Sequence, residues 1–219
     1  MITQFIVEKT GWCMSPEPTD ENYCMFNTGG VECEVGEFLY SLVKLIKPNE
    51  VLETGTHHGV SSAYIGLALK SNNKGHITTL DFVYHEQAKY IHNKLEILPY
   101  VTQLQIDVND FKTDKKYQLV LIDTEPILRF DEFVKFYSNV DDGGLIIIHD
   151  LHPNLSYNPN QNFTLPYDHW PYGDFRPKLG KFIKEHKTQI LSFNTPRGLT
   201  IFQKNKSDMN YIKYLNGEI

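Results

Sequence analysis

Val51-Leu-Glu-Thr-Gly-Thr-His-His-Gly-Val-Ser-Ser62 is the stretch on which the fold of this chain turns. A short apolar run closed by Glu53 gives way to two glycines and then to a helical pattern from Ser61 to about Lys70, which predicts a strand, a tight turn and a helix. A Gly-rich turn at a helix N-terminus is a ready anion site. A dinucleotide fingerprint needs Gly-x-Gly-x-x-Gly, whose second glycine lets the backbone approach a pyrophosphate, and His57 stands in that place. A Walker loop needs Gly-Lys-Ser/Thr, whereas Gly59 is followed by Val60 and Ser61. Glu53 adds an electrostatic objection, since a carboxylate at the mouth of the turn repels phosphate but suits a ligand with an ammonium or sulfonium group.

The same unit recurs downstream. His76 to Leu80 reads as a strand ended by Asp81, Gln87 to Leu98 as a helix before Pro99, and Val101 to Ile106 as a strand ended by Asp107. Gln118 to Ile122 is a strand ended by Asp123, Phe130 to Asn139 a helix leading into Gly143-Gly144, and Leu145 to Ile148 a strand ended by His149 and Asp150. Strands that read as continuous apolar runs and alternate with helices predict a parallel sheet covered on both faces, an α/β doubly wound domain. Upstream, Val35, Phe38, Leu39, Leu42, Val43 and Ile46 recur at helical spacing between Cys33 and Pro48. Residues 1–31 show no periodicity and read as an N-terminal arm. Residues 151–175 form a long Pro-, Asn- and Tyr-rich stretch expected to be a lid or substrate loop. A helix from Pro177 to His186, a hairpin of Gln189–Asn194 and Leu199–Gln203, and a tail over 205–219 complete the chain.

With 219 residues, 41% of them hydrophobic and 22% charged, the chain has the make-up of one globular domain. The net charge of −6 gives no basic stripe for nucleic acid or an anionic membrane, so a small or neutral substrate is expected. No apolar run is long enough to span a bilayer, and Met1 to Thr10 lacks a signal-peptide pattern, which predicts a cytoplasmic protein. Cys13, Cys24 and Cys33 fit no metal spacing and read as free thiols. Whether the chain forms a homo-oligomer is left open.

In open parallel sheets ligands bind beyond the carboxyl ends of the strands. Those ends are Glu53, Asp81, Asp107, Asp123 and Asp150, five acids brought to one crevice. S-adenosylmethionine fits this polarity: its amino group near Glu53, its carboxylate on the helix N-terminus with Ser61 or Ser62, its ribose hydroxyls on Asp81, its adenine edge near Asp107 and the amide after it. Read as motifs, Glu53-x-Gly-x-x-x-Gly-x-Ser61, Thr79-Leu-Asp81, Leu121-Ile-Asp123 and Gly143-Gly-Leu-Ile-Ile-Ile-His-Asp150 resemble those of class I S-adenosylmethionine-dependent methyltransferases. The resemblance runs from about Glu32 to Lys204 and is nearest the catechol-type O-methyltransferases and the cephalosporin-hydroxylase-like and macrolide-sugar group. It implies a Rossmann-like, seven-stranded, mostly parallel sheet with a C-terminal antiparallel hairpin in a single domain over 32–204. Leu151 departs from that pattern, standing where catechol-type enzymes have Asn.

The candidate cofactor residues are Glu53, Gly55, Thr56, His57, Gly59, Ser61, Asp81, Phe82, Asp107, Val108 and Asp123. Asp123, His149 and Asp150 are the candidate catalytic residues and the candidate ligands of a divalent metal, Mg²⁺ or Mn²⁺, with Glu125 a further ligand and His149 the base. His57 and His58 are expected to shape the cofactor turn, and Tyr157, Tyr167, Trp170 and Tyr172, in the long loop with His152, to wall an acceptor. The expected activity is O-methylation of a hydroxyl on a small molecule or sugar. An NAD-dependent oxidoreductase, disfavoured by His57, and a non-catalytic S-adenosylhomocysteine-binding domain, disfavoured by Asp123 and Asp150, are the alternatives.

Overall fold

The computed structural model describes residues 1–151, 175–186 and 188–205. At its centre four parallel strands stand side by side. They are β3 (Glu50–Thr54), β4 (His76–Asp81), β6 (Tyr117–Ile122) and β7 (Val140–His149). Their neighbours are β5 (Val101–Gln105) at one edge and the hairpin β8 (Gln189–Phe193) and β9 (Leu199–Gln203) at the other. The sheet runs β5-β4-β3-β6-β7-β9-β8, with β9 antiparallel to β7. This is the seven-stranded, mostly parallel sheet with a closing hairpin that the resemblance implies.

The central strands carry apolar residues on both sides because both faces are covered. Val51, Leu119, Leu121 and Ile147 point to one side, where they join α2 (Cys33–Ile46), α3 (Val60–Asn72) and Ile91 of α4 (Glu86–Lys94). Leu52, Val120, Ile122, Ile146 and Ile148 point to the other, against Phe133 and Phe136 of α5 (Arg129–Tyr137) and Leu179 of α6 (Phe175–His186). Alternate residues of one strand thus feed two separate cores, as a period of two requires. Each fully buried Leu, Ile, Val or Phe contributes about 1.5–3 kcal/mol.

Three expectations change. Residues 1–31 are not a featureless arm: they hold α1 (Ile2–Thr10) and the hairpin β1 (Met14–Glu17) with β2 (Asp20–Phe26). Ile6, Trp12, Phe26 and Val31 are buried in the core that α2 and α3 share, and the Trp12 and Phe26 rings lie 4.9 Å apart. The helix expected to reach Leu98 ends at Lys94, and Glu96 takes a left-handed φ of 54° before the 3₁₀ turn Leu98–Tyr100. Finally, β7 begins at Val140, so Gly143-Gly144 lies within the strand. The loop expected over 151–175, with His152, Tyr157, Tyr167, Trp170 and Tyr172, lies outside the described residues apart from its ends, and the tail from 206 lies outside them too. No helix among the described residues is long and apolar enough to cross a membrane. Cys13, Cys24 and Cys33 are free thiols.

Candidate functional site

The site opens where strand order reverses, between β3 and its neighbours β4 and β6. The turn after β3 is held by backbone: the amides of Gly55 and Thr56 donate to Leu80 O at 2.8 and 3.3 Å, and that of Asp123 to Thr54 O at 3.0 Å. Gly55 has φ +87°, and a Cβ there would stand 2.3 Å from Asp123 O, so the turn and the end of β6 touch only because position 55 has no side chain. Gly59 (φ +79°) is the N-cap of α3; a Cβ there would meet Ala88 Cβ at 2.9 Å and His92 Nε2 at 3.0 Å. His92 is buried and bonds Ser62 Oγ at 2.9 Å, and burial drops its pKa to about 4, so it packs this turn as a neutral ring.

Glu53 closes β3 with no exposed surface. Ser61 Oγ donates to its Oε1, and its Oε2 has no hydrogen-bond partner among the described residues. Burial, opposed by the nearby Ser61 and Thr79 hydroxyls and assisted by the charges of Asp123 and Asp81, pushes its pKa up to about 8. Asp81, one strand over, is held in one orientation: His57 N–H donates to Oδ2 at 2.9 Å and Val83 N–H to Oδ1 at 3.1 Å, with His85 Nε2 at 3.4 Å from Oδ2. Thr56 Oγ1 lies 2.6 Å from Thr79 Oγ1, and His58 Nδ1 lies 2.6 Å from Thr28 O, pinning the turn from below and from the N-terminal segment. The His57 and His58 rings pack at 3.9 Å, and burial lowers the His57 pKa. Phe82 projects outward, 72% exposed. Asp107 is exposed and caps Asn109 N–H at 2.8 Å, while Val108 is buried beneath it.

At the ends of β6 and β7 the structure joins Asp123, His149 and Asp150 to residues that the sequence reading missed. His149 is 1% exposed. Its Nδ1 faces Asp123 Oδ1 at 3.0 Å and Asp150 Oδ1 at 3.2 Å, and its Nε2 faces Glu32 Oε2 at 2.7 Å. Burial lowers its pKa, but the charges of Asp150 and Asp123 and the bonds to Asp123 and Glu32 win, raising it to about 10. With both ring nitrogens facing carboxylates, His149 ties Asp123, Asp150 and Glu32 together. Burial alone would raise Glu32 and Asp150; His149 with Arg197 holds Glu32 low, and His149, Arg129 and Arg197 hold Asp150 low. Asp150 takes φ 55°, a left-handed conformation that turns its carboxylate back toward Arg129. Thr54 and Thr124 hydroxyls donate to the two oxygens of buried Glu132 at 2.6 and 2.8 Å, fixing α5 under the site. Among the described residues no hydrogen bond or ion pair joins Glu125 to this cluster.

A parallel sheet of order β5-β4-β3-β6-β7-β9-β8, with its crevice at the β3 end and a reversed penultimate strand, is the architecture of the Rossmann-like methyltransferases. Residues 52–151, which carry the turn, Asp81, Asp123, His149 and Asp150, match the family model described as a methyltransferase domain. Two mycobacterial proteins, from Mycobacterium strains KMS and MCS, whose names provisionally assign them as O-methyltransferases, are 31% identical over 127 residues. Those matches cover 55% of this chain and 57% of each relative, so the chain spans little more than half the length of the curated relatives it matches. Among solved structures, a Podospora anserina methyltransferase bound to S-adenosylhomocysteine superposes with TM-score 0.67 at 12% identity, covering 94% of both chains. The Streptomyces achromogenes O-methyltransferase TomG, bound to S-adenosylmethionine, gives TM-score 0.58 at 16% identity over 80% of this chain and 82% of its own. At these identities the likeness establishes the fold.

Proposed function

We propose that this protein binds S-adenosylmethionine at the β3 turn and transfers its methyl group to a hydroxyl of a small-molecule or sugar acceptor. The observation that carries the reading is Glu53, a sealed carboxyl at the mouth of a Gly-rich turn with one oxygen unpartnered among the described residues. An ammonium group at that oxygen stabilises the ionised form of this buried carboxyl, whereas a phosphate offers it no compensating charge. The relatives named O-methyltransferases and the neighbours crystallised with S-adenosylmethionine or S-adenosylhomocysteine support the same class of chemistry.

On this reading Glu53 holds the amino group, Ser61 and the amides opening α3 hold the carboxylate, and Asp81, already oriented by two backbone amides, accepts the ribose hydroxyls. Val108 and Phe82 flank the adenine side, with Asp107 at its rim. The cofactor supplies an electrophilic methyl group on sulfonium, itself a good leaving group. The chain's own task is orientation of the acceptor oxygen and removal of its proton. Asp123 and Asp150 keep 15% and 16% of their side chains exposed where His149 and Glu32 are sealed, so they present the cluster to the acceptor. His149 then acts as a positioning residue that fixes both carboxylates.

Calorimetric titration tests this. S-adenosylhomocysteine is expected to bind at one site per chain and NADH to give no saturable heat. Saturable NADH binding with none for S-adenosylhomocysteine would overturn the reading.

A further inference from the structure

Two carboxylates at the ends of adjacent parallel strands repel each other unless a cation stands between them. Asp123, His149 and Asp150 each offer a ligand atom within 4.8 Å of the others, the spacing of a divalent-metal site. The structure already places a cation there. Arg129, the first residue of α5, is 4% exposed, and its Nη2 lies 3.0 Å from Asp150 Oδ2 and 3.5 Å from Asp123 Oδ1. The rest of the guanidinium is fixed as well: Nε donates to Thr124 O at 2.7 Å and Nη1 to His149 O. Arg197, from the β8–β9 turn, closes the other side, with Nη1 3.8 Å from Asp150 Oδ1, Nε 3.7 Å from Glu32 Oε1 and 3.8 Å from Glu17 Oε1, and Nη2 donating to Gly30 O at 2.6 Å.

We propose that Arg129 is the built-in cation of this site, occupying between Asp123 and Asp150 the place a divalent metal would take, so that the protein works without a metal and shortening Arg129 creates a metal site. Admitting an ion would push the guanidinium off both carboxylates and off two backbone carbonyls, leaving a buried charge and buried acceptors without partners. A planar fork with each of its three nitrogens engaged is a rigid, permanent charge, which suits a fixed role better than an exchangeable ion does. His149 has both ring nitrogens facing carboxylates, so ligating a metal would cost it one of those bonds. Only the catalytic half of the proposal, that transfer proceeds without metal, rests on the methyltransferase reading; the binding half does not.

The test is Mn²⁺ titration of the full chain, followed by the Mn²⁺ electron-paramagnetic signal and by calorimetry. The wild type is expected to bind no Mn²⁺ stoichiometrically. Arg129→Ala is expected to gain one saturable site, at least about tenfold tighter than any in the wild type because a competing buried charge is gone, and Asp123→Asn added to it is expected to lose that site. Should Arg129→Ala not fold, Arg129→Gln, which keeps a donor and loses the charge, takes its place. A stoichiometric Mn²⁺ site in the wild type that Asp123→Asn abolishes would overturn the proposal, as would folded Arg129 variants that gain no site. S-adenosylhomocysteine binding measured on the same samples separates the two ideas, since its absence would sink the methyltransferase reading and leave the Mn²⁺ result standing.

Discussion

Replacing Glu53 by Gln should change how stability depends on pH, by an amount the structure sets. Glu53 is fully buried, and its pKa stands at about 8 against 4.5 for a free side chain. The folded protein therefore keeps the proton between those values while the unfolded chain releases it. A native state that holds more protons than the unfolded one loses stability as pH rises, so the loss runs from pH 4.5 to about 8 and then levels off. At about 1.36 kcal/mol per pH unit the full gap is worth ~5 kcal/mol, of which roughly 3 kcal/mol should disappear between about pH 5 and 8. Gln keeps the size of the side chain and an acceptor for Ser61 but cannot ionise. Urea unfolding of both proteins at several pH values measures the effect as a difference, which cancels the contributions of titrating groups not coupled to Glu53. The Gln variant should be the more stable of the two at pH 8 and its profile flatter, whereas parallel profiles would refute the claim that burial holds the proton on Glu53.

Three further outcomes follow from the same geometry. Asp81→Ala removes the acceptor assigned to two ribose hydroxyls and should weaken S-adenosylhomocysteine binding by roughly 2 kcal/mol, about thirtyfold; an unchanged calorimetric affinity would remove Asp81 from the site. Gly55→Ala puts a Cβ 2.3 Å from Asp123 O at φ +87°, which should cost more than about 2 kcal/mol in a thermal melt. An unaltered melting temperature would contradict that close approach. Glu32→Gln takes a charge from the buried His149 clamp and should destabilise by roughly 3 kcal/mol. Because His149 holds its proton to about pH 10 when folded and 6.5 when unfolded, its stabilisation is complete below pH 6.5 and fades as pH rises toward 10. In the Glu32→Gln variant that fade should still begin near pH 6.5 but end at lower pH in denaturant titrations, and an identical profile would detach Glu32 from the clamp.

The parts of the fold set by burial on both faces were legible in the sequence. Leu119 to Ile122 and Ile146 to Ile148 read as strands because every residue has a core to enter, and the acid that ends each strand marks where the sheet meets water. The Val51 to Ser62 turn was legible because its glycines and Glu53 restrict both backbone and ligand. The N-terminal segment was not, since α1 buries only Thr3 and Ile6 and the β1–β2 hairpin alternates irregularly, leaving no period to detect. Nor was the charged clamp: Glu32 meets His149 across 117 residues and Arg197 across 165, distances at which spacing carries no signal. Arg129 left one trace, as a cation in the first turn of α5 opposes the helix dipole and so needs a nearby anion to account for it. For His149 the place beside Asp150 was visible, but the Glu32 carboxylate behind it was not.

The most direct test of the account is a crystal structure of the full chain with S-adenosylhomocysteine. The account predicts density in the crevice beyond β3, with the amino group against Glu53 Oε2, the ribose hydroxyls on Asp81 and the thioether sulfur facing Asp123. A ligand bound elsewhere, or one whose carboxylate rather than its amino group lies against Glu53, would contradict it.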